Sequence, residues 1–185
     1  SEDIKDKMES VIKQSKTLQH KVEDMQRKMV DKNEIGWQEK QALKQLLDKQ
    51  NELQQQVKEI QNENKEKNLK ENQYTELSPD LLEKQKQLEE LFNKVMTEDL
   101  KKMYDELQKM LDEVNKDKVA EMLDKMKDDT RSLEKEIDRN LELFKQLELE
   151  QKMQQIIDKT IKLSEDQEKL SEETNNASRN DMESL

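Results

Sequence analysis

The sequence predicts an all-α protein, an elongated coiled coil of antiparallel helical hairpins with short helices in its middle third. Three observations predict it. Charged residues make up 43% of the 185 residues and hydrophobic ones only 30%, too little apolar volume for a globular core. The 34 basic residues offset most of the 45 acidic ones, leaving a net charge of -11. Such mixed charge is unlike the one-signed composition of a disordered chain. Apolar residues also recur every three or four positions, a period that burial of one helix face requires and that disorder does not.

The first helix is expected over residues 2–33. Its seam reads Ile4, Met8, Val11, Ser15, Leu18, Val22, Met25, Met29, alternating steps of four and three with only Ser15 polar. The register breaks around Asn33 to Trp37. Gly36, the only glycine, can end one helix or cap the next, and Glu39 follows three residues later as the acidic member of a cap.

The second helix, 37–74, carries Leu43, Leu46, Gln50, Leu53, Val57, Ile60 and Asn64 at the same alternating steps. Polar Gln50 and Asn64 weaken such a seam but can fix its register and partner number. From Asn62 to Gln73 nearly every residue is Asn, Glu, Lys or Gln, which reads as a frayed or solvent-surrounded helix end.

Ser78-Pro79-Asp80 is the clearest helix start. Serine caps, proline suits the first helical position, and Asp80 and Glu83 favour the positive end of the helix dipole. The helix that follows, 79–95, places Leu81, Leu88, Phe92 and Val95 on one face. Thr97 opens a further helix over 98–114, with Leu100, Met103, Leu107, Met110 and Val114. Asn115 caps another over 116–127, containing Val119, Met122, Leu123 and Met126. Asp128-Asp129-Thr130 is read as the cap of the last long helix, 130–174, with Leu133, Ile137, Leu141 and Phe144. Its seam shifts between Leu147 and Leu149 and resumes at Met153, Ile156, Thr160, Leu163, Gln167 and Leu170. Residues 1–174 thus form a single helical coiled-coil region, and 175–185, which lose the period, a mobile acidic tail. Helices of about 35 to 40 residues are roughly 55 to 60 Å long, and need a partner stripe.

The residues expected to form the coiled-coil core or interface are Ile4, Met8, Val11, Leu18, Val22, Met25, Met29, Leu43, Leu46, Leu53, Val57, Ile60, Leu88, Phe92, Leu107, Ile137, Phe144, Ile156, Leu163 and Leu170. An echo recurs among them. Leu46 to Leu53, Leu81 to Leu88 and Leu163 to Leu170 all read L-x-x-x-Q-x-x-L, from old duplication or from any seam built of Leu and Gln.

Chemistry-bearing residues are scarce. With no cysteine, disulfides, thiolate catalysis and Cys-ligated metals are excluded together. The one histidine, His20, lies a turn from Asp24, but Thr17 stands where a Glu-x-x-His metal motif needs Glu. An exposed polar residue is the expectation there. Acidic pairs such as Asp128-Asp129 and Glu172-Glu173 lack the converging spacing and glycine turn of a calcium loop. No catalytic, cofactor-binding or metal-binding residue is expected, and the protein is read as no enzyme. The acidic balance argues against nucleic acid as a partner, and no apolar run reaches the roughly 18 to 20 residues a membrane span needs.

Ten methionines stand mostly at seam spacing, where core packing is the expectation and an adaptable partner-binding face the alternative. Trp37, at a helix junction, either plugs the joint or anchors a partner. With Ser1 in place of Met and no apolar leader, the chain is expected to be a segment of something longer.

Two stretches, Leu88 to Glu98 (LEELFNKVMTE) and Asp138 to Glu148 (DRNLELFKQLE), resemble the helical middle region of a Bacteroidota family of large envelope proteins, a domain of unknown function. The resemblance extends from about Trp37 to Thr174. It implies a parent protein anchored by N-terminal membrane helices, with this soluble segment tethered to the inner membrane in the bacterial cell envelope. It implies no catalytic residues. Together these readings lead to the expectation of a structural or scaffolding module that contacts protein partners or itself through helical seams. The alternative is a chaperone-like or adaptor clamp that binds peptides through Met-rich apolar faces.

Overall fold

The computed structural model describes residues 2–95 and 115–184, together with positions 102, 105, 106, 109 and 113. The helix expected over 98–114, with Leu107, lies almost wholly outside the described residues. The described chain is all-α, with four helices and no strand: α1 (Glu2–Val30), α2 (Trp37–Tyr74), α3 (Pro79–Val95) and α4 (Lys116–Glu183). It divides into two units, Ser1–Lys145 and Gln146–Leu185.

The helix starts follow from local chemistry. Gly36 is the N-cap of α2; its N–H donates to the Glu39 carboxylate at 3.0 Å, and Lys32 also bonds that carboxylate. The φ of Gly36 is -87°, so no left-handed turn calls for glycine. A Cβ there would instead stand 2.9 Å from the Glu39 oxygen that folds back over the cap. Ser78 Oγ accepts from the Leu81 N–H at 3.3 Å, opening α3 with Pro79 in its first position. Asn115 Oδ1 accepts from the Lys118 N–H at 2.8 Å and opens α4.

In the first unit α1 and α2 form an antiparallel hairpin. Lys7 bonds Glu63, and seven residues on along α1, Gln14 exchanges amide bonds with Gln56, seven residues back along α2, at 3.1 and 3.2 Å. The carboxylate of Glu63, bonded to Lys7, raises the pKa of that lysine. The same logic sets α4 antiparallel to α1. Glu134 accepts from Gln19, Lys127 lies 3.8 Å from Glu23, and Gln26 donates to Asp124 at 2.8 Å. Lys67 of α2 stands 4.7 Å from the centroid of the Phe144 ring on α4, which fits α2 and α4 running parallel.

The end of α2 is not frayed. It is held to α3 by an antiparallel ladder: Gln61 to Asn93 at 2.7 Å, Asn68 to Glu89 at 3.3 Å and Asn72 to Gln85 at 3.2 Å. The stretch 62–73 has two faces: Asn64 and Asn68 are buried against the pair, while Asn62, Lys65, Glu66, Leu69, Lys70, Asn72 and Gln73 are exposed.

Two expected boundaries are absent. In place of helices over 116–127 and 130–174, α4 runs unbroken from Lys116 to Glu183. Thr130 caps nothing. Its buried hydroxyl donates to the Met126 carbonyl, one turn back, at 2.6 Å. The physical reason is the period. Thr130 occupies the seam step between Met126 and Leu133, so burying the seam keeps the helix continuous past Asp128 and Asp129. Residues 175–183, expected to be a tail, are the last turns of the same helix. Asn and Ser there end the apolar pattern without supplying a proline or glycine to end the helix.

Candidate interaction surface

The seam residues of α1 and α2 are buried, and on α2 Leu47, Gln61 and Asn68 are buried beside them. Ile4, Met8, Val11, Leu18, Val22, Met25 and Met29 are buried on α1, and Leu43, Leu46, Leu53, Val57 and Ile60 on α2. Leu88 and Phe92 of α3 and Ile137 and Phe144 of α4 join them, as do the polar seam residues Ser15, Gln50 and Asn64. Of the expected core residues, Leu107 lies outside the described residues. Ile156, Leu163 and Leu170 are not in the chain's own core, being exposed by 64%, 64% and 63%.

The reason is a change of face on α4. From Val119 its buried positions step by fours and threes through Leu123, Met126, Thr130, Leu133, Ile137, Asn140, Phe144 and Leu147 to Gln151. A second apolar series begins at Leu149 and continues through Met153, Ile156, Leu163 and Leu170, with Thr160 and Gln167 filling its intermediate steps. All seven are exposed. Two residues along a helix is a turn of roughly 200°, so Leu149 lies on nearly the opposite face of the helix from Leu147. Ile157, one turn on from Met153, widens the second series. The result is a stripe about 30 Å long, at about 1.5 Å of rise per residue, belonging to the second unit.

The Leu/Gln echo sharpens the contrast. In its first two copies both leucines and the central glutamine are buried: Leu46, Gln50 and Leu53, then Leu81, Gln85 and Leu88. In the third, Leu163, Gln167 and Leu170 are all open. The same pattern that seats inside the chain twice is left without a seat once.

Other candidates fall away. Trp37 is 74% exposed and plugs no joint. His20 is exposed, with Nδ1 4.0 Å from Glu23. Among the described residues no group of three or more His, Asp or Glu side chains is placed to hold a metal ion. No helix of the described residues is long and apolar enough to cross a membrane. The sequence signal for the face change was present in the two-residue shift between Leu147 and Leu149. What it lacked was which of the two faces the chain covers itself.

These features define an all-α antiparallel helical bundle joined in sequence to a helix with an open heptad face. Comparisons with protein-family models, with curated proteins and with solved structures found no match.

Proposed function

We propose that the chain is a non-catalytic structural module that makes protein–protein contacts through the open apolar stripe of α4. The observation that carries this reading is the exposure of Leu149, Met153, Ile156, Leu163 and Leu170 at heptad spacing, after the seams of α1, α2 and α3 have closed. Contiguous exposed apolar surface of this kind marks interaction sites, and a helix gains most of its stability from burying one face. The absence of cysteine and the single histidine in the sequence support a non-catalytic role.

The Met-rich clamp is the weaker alternative. Met8, Met25, Met29, Met122 and Met126 are buried, leaving Met153 and Met182 as the open methionines among the described residues. The family resemblance of Leu88 to Glu98 and Asp138 to Glu148 supports the further proposal that the module is part of a larger membrane-anchored envelope protein.

Site-specific photocross-linking in cells tests the module reading. A photoreactive residue at Met153 or Leu163 is expected to give protein adducts, and one at Asp158, on the far face, none. Absence of adducts from both stripe positions overturns it.

A further inference from the structure

We infer that the occupant of the α4 stripe is a second copy of this chain, bound antiparallel, an inference that rests on the module reading above. Charged residues flank the stripe. One position before each of Met153, Thr160, Gln167 and Thr174 stands a charged residue: Lys152, Lys159, Asp166 and Glu173. All four are exposed, and none makes an ion pair among the described residues. Their order along the helix is basic, basic, acidic, acidic.

That order has a direction. In an antiparallel pair of helices, flanking positions of this kind face their own equivalents across the seam. A twofold axis midway between Lys159 and Asp166 sets Lys159 against Asp166 of the second copy. It also sets Lys152 against Glu173 of the second copy. Symmetry makes each pairing twice, so each of these four charges meets its opposite. In a parallel in-register pair the four side chains would instead face Ile157, Ser164, Ser171 and Ser178, and no charge would be matched.

The seam tolerates this register. Met153 falls opposite Leu170 of the second copy, Thr160 opposite Leu163, and Ile156 opposite Gln167. A glutamine among aliphatic seam residues is already accommodated in the chain at Gln50 and Gln85, both buried. Ion pairs at exposed flanks add little individually, but they favour the antiparallel orientation, because the parallel one leaves all four of these charges unmatched.

Charge reversal in the full chain tests this, read by light scattering with helix content followed by circular dichroism. The wild type is expected to approach twice 22.2 kDa as concentration rises. Lys152→Glu/Lys159→Glu makes all four flanks acidic, and Asp166→Lys/Glu173→Lys makes all four basic. Each variant alone is expected to dissociate more readily by on the order of a hundredfold, as four attractions become repulsions. An equimolar mixture should restore a dimer of one copy of each. A monomeric wild type, variants that associate as tightly as wild type, or a mixture no tighter than its components would each overturn the inference. If the wild type is monomeric while the stripe cross-links to another protein, the inference falls and the module reading stands.

Discussion

Leu147 and Leu149 stand two residues apart on α4 and point to opposite sides of it, the first 2% exposed and the second 61%. One helix therefore carries two apolar seams in succession, and only the first is covered by the chain. The pair makes a direct comparison. Leu147→Ala should destabilise the protein by about 2 to 4 kcal/mol in urea denaturation, through lost burial and the cavity left behind. Leu149→Ala, measured at a concentration where the chain is monomeric, should change stability by less than about 0.5 kcal/mol. Equal losses would mean the two faces are not distinct.

The seam polar residues should be dispensable for stability. Ser15 Oγ and both amide atoms of Asn140 are buried with no hydrogen-bond partner among the described residues. Leaving such groups dry costs about 1 to 3 kcal/mol each. Ser15→Ala and Asn140→Leu should therefore raise the midpoint of chemical denaturation. A fall in midpoint for Ser15→Ala, which removes only the hydroxyl, would contradict the packing described.

Thr130 separates a cap from a seam residue. Its hydroxyl bonds a carbonyl of the preceding turn, so Thr130→Val should leave stability unchanged or raise it by up to about 1 kcal/mol. A true N-cap would lose about 1 kcal/mol. Ser78→Ala, where the hydroxyl does cap the Leu81 N–H, should show that loss. Thermal unfolding of the two variants side by side reads the contrast.

Much of this fold was legible because each helix start has its own chemistry. Gly36 with Glu39, Ser78 with Pro79, and Asn115 each mark an end that composition and spacing reveal. Asp128-Asp129-Thr130 misled because the same residue types cap a helix and sit on its faces. What decides is whether the apolar period crosses them, and here Met126, Thr130 and Leu133 carry it through. The polar stretch after Asn62 misled for a related reason. Amides such as Gln61, Asn68 and Asn72 read as solvated until a second helix supplies Asn93, Glu89 and Gln85 as partners. Ile156, Leu163 and Leu170 were recognised as a seam, but periodicity alone cannot say whether a seam closes within a chain or awaits another.

The most direct test of that open seam is the molar mass of the wild-type chain beside Ile156→Glu/Leu163→Glu, across a range of concentrations. The wild type is predicted to approach twice 22.2 kDa, and the variant to stay near 22.2 kDa with the α1–α2 hairpin still folded. Equal masses for the two, whether monomer or dimer, would contradict the assignment of the Leu149–Leu170 stripe as the surface through which this chain associates with itself.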